Sequence, residues 1–249
     1  MSDIFDVETA SAIACDIALL ARLHEREAGG ELLETLRETA LENWFALRLN
    51  GEKFAEGAKL MNLALASLTK PITPEQLDNL AAEYAAIYLT HAYRASPYES
   101  VWRDEDSLER QAPMFEVREW YRRHGVQAPD WRKRSEDHIA LELDFLAQLI
   151  RAANDPAKAR EAADFLREHP LLWVPDFVRR VVTRCREPFY AGAALLTLAY
   201  LERLSSLFEQ AFDFDMTVKH DEADKHRADG PRRPTCADPP DTPLPGLQS

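Results

Sequence analysis

The residues best suited to chemistry lie in one stretch, Ser135 to Arg151 (SEDHIALELDFLAQLIR). His138 and Glu142 are four apart, within reach of each other on a helix face. An imidazole beside a carboxylate can move a proton. Two readings stand side by side for this pair: a structural hydrogen bond or ion pair, and a functional site. Glu136 and Asp137 fit cap chemistry as readily as a site, since negative charge suits the positive end of a helix dipole.

The element that positions these groups is a helix. Ser135 is a good N-cap. At about 100° per residue, Ile139, Leu143, Leu146 and Ile150 form one stripe, and Leu141, Phe145 and Leu149 form a second. Together they cover roughly 200° of arc, wider than the stripe of a surface helix. This helix is expected to be flanked on most sides, with His138 and Glu142 as the polar interruptions. A polar pair aimed into packing is costly unless it is satisfied.

Other chemistries are argued against by absence. The nearest approach to a phosphate loop, Gly51 to Gly57-Ala58-Lys59, has glycines one residue too far apart and no Ser or Thr after the lysine. Asp221-Glu222-Ala223-Asp224 spells a helicase-like tetrad without a phosphate loop, and is read as chance. None of the seven histidines has Glu three residues before it, the spacing of a di-metal bundle site. No G-x-S-x-G or H-E-x-x-H occurs. The run Asp104-Glu105-Asp106 reads as a solvated loop rather than a cation site. The expectation is no covalent or metal catalysis, no cofactor and no metal.

Composition narrows the class. The chain has 249 residues, 46% hydrophobic and 29% charged, a globular balance. Only 8 are Gly, while Ala, Leu, Glu and Arg dominate, which favours helix. A formal net charge of −13 disfavours non-specific binding to nucleic acid or anionic membrane and suits a basic partner. Cys15, Cys185 and Cys236 lie far apart with no C-x-x-C, which points to a reducing cytoplasm rather than disulfides. The acidic start MSDIFDVETA has no signal-peptide pattern. No run approaches the ~18 apolar residues of a membrane span.

Along the chain, helices are predicted over Thr9 to Arg26, Glu31 to Leu49 and Glu52 to Leu68. The next starts at Thr73-Pro74 and carries Leu77, Leu80, Tyr84, Ile87 and Tyr88. From Ala92 to about Pro113 the periodicity fails. That stretch is too long for an ordinary connection. With Tyr93, Tyr98, Val101 and Trp102 it is too apolar to float, and is expected to pack on the helices. Met114 to His124 is a helix closed by Gly125, and a loop with Pro129 and Trp131 leads to the central helix. Asp155-Pro156 starts another, running to about His169; one more is expected from Pro175, and a long one from Glu187 to Phe212. Six of the 15 prolines fall in the last 35 residues, with few large apolar side chains. Such a tail is expected to be disordered. No internal repeat of fixed period is found.

Three segments, in order, resemble the TorD/DmsD/NarJ family of cytoplasmic molybdoenzyme chaperones. Ser96-Pro97-Tyr98-Glu99-Ser100-Val101-Trp102 is similar to its P-aromatic-x-S-V-aromatic loop. Glu136 to Leu146 resembles its E-P-x-D-H motif and the helix behind it; Arg134-Ser135 stands in for Glu-Pro, while Asp137 and His138 are kept. Phe165 to Phe177, then Pro188-Phe189-Tyr190, is the third. Where many members carry a glycine after the residue matching Tyr88, this chain has Leu89-Thr90-His91.

The resemblance implies a non-enzymatic, system-specific chaperone. It would bind the twin-arginine leader or N-terminal segment of a molybdopterin oxidoreductase, assist cofactor insertion and delay export. Partners would be the molybdoenzyme apoprotein with its leader, and molybdenum-cofactor biosynthesis proteins; no nucleic acid and no stable membrane insertion is expected. The expected fold is all-α, a helical bundle of about nine or ten helices over residues 3–213, monomeric or dimeric, with a tail over 214–249. The expected peptide-binding residues are Tyr84, Tyr88, Pro97, Tyr98, Ser100, Trp102, Asp137, His138 and Glu142. The loop Pro97 to Trp102 is expected against the start of the central helix. The alternatives are a nucleotide-regulated helical interaction protein and a small-molecule enzyme using His138 with Glu142.

Overall fold

A computed structural model describes residues 6–129 and 134–219. Among these the chain is all-α, with ten α-helices and no strand. They are α1 (Val7–Glu25), α2 (Gly30–Glu38), α3 (Glu52–Ser67), α4 (Pro74–Tyr88), α5 (Glu99–Arg103), α6 (Ala112–Arg123), α7 (Ile139–Ala152), α8 (Pro156–Glu168), α9 (Pro170–Arg184) and α10 (Pro188–Phe212). Several starts are written locally. Asp6 accepts from the Thr9 N–H at 2.7 Å, and Asp155 accepts from Ala157 and Lys158 at 2.9 Å. Thr73 and Gln76 form a capping box ahead of Pro74.

Helix α7 is the centre. From Ile139 to Ile150 only Asp144 and Gln148 are not buried, because α1, α8 and α9 pack around it. The wide apolar arc thus has its counterpart in packing. Helix α10 crosses α3 so closely that both helices need glycine at the contact. A Cβ on Gly57 would stand 2.9 Å from Leu195 Cβ, and one on Gly192 2.9 Å from the Met61 backbone nitrogen. Trp173, Tyr190, Tyr200, Phe145, Phe165 and Phe177 are the largest fully buried side chains.

The structure corrects several boundaries. The helix expected from Glu31 to Leu49 ends at Glu38; a 3-10 turn at Leu41–Asn43 and irregular chain follow. Buried Asp16 draws that chain in, accepting from Ala46 N–H at 2.9 Å and Leu47 N–H at 3.2 Å, and from the Tyr200 hydroxyl at 2.9 Å. Those amides leave the helical ladder for a tertiary partner. Pro175 starts no helix: α9 runs through it. The central helix begins at Ile139 rather than at Ser135, and the stretch from Ala92 to Pro113 contains the short helix α5.

Beyond residue 213 the chain stays attached for a few residues. Phe214 and Met216 are buried, the Arg160 guanidinium lies 3.6 Å over the Phe214 ring, and Arg167 donates to the Asp215 carbonyl at 3.0 Å. Trp131, the acidic tetrad Asp221 to Asp224, Cys236 and the Pro-rich stretch lie outside the described residues.

Candidate functional site

Two chain segments meet at the N-terminus of α7. The extended residues Tyr98 and His138 form an isolated antiparallel bridge. The Ile139 N–H donates to the Pro97 carbonyl at 2.8 Å, and the Glu99 N–H to the Asp137 carbonyl at 2.9 Å. Side chains continue the join. Asp137 Oδ2 accepts from the Ser100 N–H at 2.9 Å and from the Ser100 hydroxyl. Asp137 thus caps α5 from outside that helix. The Tyr98 and His138 rings meet edge to face at 5.1 Å, and Trp102 Nε1 donates to the Ser96 carbonyl at 2.8 Å.

His138, not Ser135, is the N-cap of α7. Its Nδ1 accepts from the Ala140 N–H at 3.1 Å. That bond requires Nδ1 to carry no proton. Burial holds the His138 pKa well below the ordinary imidazole value, helped by the nearby Arg134 charge. Behind it, the Thr197 hydroxyl donates to the Ala193 carbonyl at 2.9 Å, so it accepts from His24 Nε2 at 2.8 Å. His24 Nδ1 therefore accepts from the Tyr88 hydroxyl at 2.6 Å. Burial alone brings His24 down to about 3.

Glu142 makes no side-chain bond to His138. Its Oε2 accepts from Trp173 Nε1 at 3.0 Å, one turn into α9. Its neighbour Glu99 is fully buried on α5, held by Arg103 Nη1 at 2.6 Å and by His169 Nδ1 at 3.0 Å. Burial, then the facing Glu99 charge, pushes Glu142 well above the usual carboxyl range. Burial likewise raises Asp137, against the pull of Ser100.

Of the nine residues expected at the site, Pro97, Tyr98, Ser100, Trp102, Asp137, His138 and Glu142 gather around this junction. Tyr88 reaches it from behind through a ring contact to His138 at 6.4 Å. Tyr84 stacks on Tyr88 and donates to the Glu25 carbonyl at 2.7 Å, in the core. Only Tyr98 and Trp102 retain appreciable exposure; the other seven are buried. The arrangement is a join that fixes the loop and leaves two aromatic rings partly exposed, Tyr98 against His138 and Trp102 against Phe177.

Arg103 of α5 borders an open cleft of about 850 Å³. Phe115, Trp120 and Leu172 give it apolar surface, Glu116, Glu119 and Glu168 give it carboxylates, and Arg103, Arg123, Arg167 and Lys219 give it cations, Arg123 lying 4.2 Å over the Trp120 ring. Phe115 is 54% exposed, unusual for a ring of its size. Arg103 and His169 line the cleft and also hold Glu99. Sequence reasoning assigned none of these residues. Glu99 and His169 stood inside the motif segments without a role. Phe115, Glu116 and Glu119 carry no signal beyond an apolar residue on the polar side of an amphipathic helix.

The family model described as "Nitrate reductase delta subunit" matches residues 52–179, just over half of the chain. Among curated proteins, the "Chaperone protein TorD" of Vibrio cholerae serotype O1 is 31% identical over 141 residues, 53% of this chain and 64% of the relative. The protein of the same name from Vibrio vulnificus is 31% identical over 129 residues, 49% of this chain and 60% of the relative. That from Escherichia coli K12 is 27% identical over 203 residues, 78% of this chain and 95% of the relative. The matches to the Vibrio proteins thus span under two thirds of their length. The matched residues 52–179 contain both segments of the α5–α7 junction.

Proposed function

The chain belongs to the TorD family of molybdoenzyme chaperones, and from that premise we propose that it binds the precursor of a molybdopterin oxidoreductase in the cytoplasm. It takes the twin-arginine leader or N-terminal segment, assists cofactor insertion and delays export until the client is folded. The observation that carries this reading is the join of Pro97–Trp102 to Asp137–His138. It makes one rigid unit of two sequence-distant motifs and leaves Tyr98 and Trp102 partly exposed.

A leader of this kind combines guanidinium groups with an apolar stretch. Tyr98 and Trp102 offer aromatic surface, and the cleft holds Phe115, Trp120 and three carboxylates interleaved with Arg103, Arg123, Arg167 and Lys219. Glu116 is bonded to Arg103, Glu119 to Arg122, and Glu168 to Arg167. Of these, only the Glu119–Arg122 pair is exposed at both ends, and such a pair is worth about 0–1 kcal/mol, so an incoming arginine can exchange there. Buried Asp137 acts through Ser100, by holding α5 in place.

The test is co-purification. The tagged chain is expressed with each molybdopterin oxidoreductase precursor of its own host, intact or lacking the N-terminal segment. Capture of one intact precursor but not of its shortened form is expected. Capture of none, or equal capture of both forms, would overturn the proposal.

A further inference from the structure

Glu99, Asp137 and Glu142 are three acidic residues enclosed within the α5–α7–α9 junction, at 0%, 0% and 1% exposure. The hydrogen-bond donors there are unevenly shared. Glu99 takes Arg103 and His169; Asp137 takes the Ser100 N–H and hydroxyl. Glu142 has Trp173 on Oε2, while its buried Oε1 meets no N–H or O–H donor. The Glu99 carboxylate lies within hydrogen-bonding reach of Glu142. Two facing acceptors bury no favourable contact unless one carries a proton, and an unpaired buried anion is strongly disfavoured.

We propose that Glu142 is neutral and donates its carboxyl proton to Glu99, so that a carboxyl–carboxylate hydrogen bond latches α5 to α7. The latch opens when that proton is lost to water and two buried anions face each other. The groups around Glu142 divide by element. From α5 come Glu99 and, through it, Arg103; from the turn before α7, Asp137 and His138; from α6, Tyr121; from α9, His169 and Trp173. His138 is neutral as the cap of α7, Trp173 donates to Glu142 Oε2, and Arg103 and His169 both bond Glu99. The strong upward displacement of Glu142 agrees with this count.

The sign follows. A carboxyl raised in the fold contributes stability that is complete below its unfolded value and is lost as pH rises through its folded value. Loss of one proton costs about 1.36 kcal/mol per pH unit, which for a chain this size is roughly 3–5 °C of melting temperature per unit. Opening the latch leaves the Tyr98–His138 bridge and the Asp137–Ser100 bonds as the remaining ties between α5 and α7.

The test labels glutamate carboxyl carbons with carbon-13 in the full chain and follows them by NMR against pH. One glutamate is expected to remain protonated at neutral pH, and its resonance to vanish in Glu142→Gln. Gln keeps both hydrogen bonds, its amide donating to Glu99 and its oxygen accepting from Trp173. This variant should therefore fold and lose the fall in melting temperature that the wild type is expected to show as pH rises above the ordinary carboxyl value. Ordinary titration of every glutamate in the wild type would overturn the proposal without any variant. So would persistence of the high-titrating resonance in Glu142→Gln, or failure of that variant to fold at neutral pH.

Discussion

At the scale of the residue, the junction is governed by which buried groups hold protons. His24 and His138 are both neutral in the fold, His24 with a pKa of about 3 and His138 also displaced downward by burial. An imidazole depressed in the fold contributes stability that is present above its unfolded value near 6.5 and is lost as pH falls below it. Buried carboxyls raised in the fold, Glu142 among them, act with the opposite sign over the same range, so the test is a difference: between about pH 6.5 and 4, His24→Asn should take up about one proton fewer on unfolding than the wild type in calorimetric melts. Equal proton uptake by the two would contradict the assignment. Ser100 makes a second case. Ser100→Ala deletes the hydroxyl on Asp137 and should cost about 1–3 kcal/mol in urea unfolding, as for other buried acceptors stripped of a donor. At this scale the sequence was half legible. His138 and Glu142 stood out as polar groups in an apolar arc, but their mutual pairing did not occur. Their partners, Ala140 N–H and Trp173, are set by where α7 begins and by a helix far along the chain. Neither is encoded in local spacing.

At the scale of the element, helices were readable wherever caps and stripes coincide, as at Thr73-Pro74 and Asp155-Pro156. They were misread where a tertiary partner outbids the local signal. Asp16 unwinds the chain after α2. The buried Trp173, Val174 and Phe177 carry α9 through Pro175, with the loss of one backbone bond. The close approach of α3 and α10 was equally hidden, since Gly57 and Gly192 look like ordinary weak points in two helices. Gly192→Ala tests this. Propensity alone would gain about 1 kcal/mol, but the added carbon would meet the α3 backbone at 2.9 Å. A net destabilisation of about 1–3 kcal/mol is expected in thermal or urea melts. A stabilised variant would mean that the two helices are not held at this distance.

At the scale of the whole molecule, the all-α class followed from composition and periodicity, and the family from three ordered motifs. The cleft beside α5 was not legible, because its walls come from α5, α6 and the α8–α9 corner, which only the fold brings together. The far end of the described chain gives a further test. Stopping after Phe212 removes buried Phe214 and Met216 and should cost about 1.5–3 kcal/mol per side chain. Stopping after Lys219 should leave the melting temperature nearly unchanged, and a large loss there would show that the Pro-rich segment is docked. No helix among the described residues is long and apolar enough to cross a membrane. The net charge of −13 favours association with basic rather than acidic surfaces.

The proposed leader site is the surface around α5. The most direct measurement is isothermal titration of the client's synthetic leader into the wild type, Tyr98→Ala and Glu119→Lys. Tyr98 is a partly exposed aromatic on a rigid support and Glu119 an exposed cleft carboxylate, so both substitutions should spare the fold. Binding by the wild type is expected, with a loss of about tenfold or more for Tyr98→Ala, equivalent to about 1.4 kcal/mol. A smaller loss is expected for Glu119→Lys, shrinking as salt is raised. Wild-type affinity in both variants, or no binding by the wild type, would rule out this site.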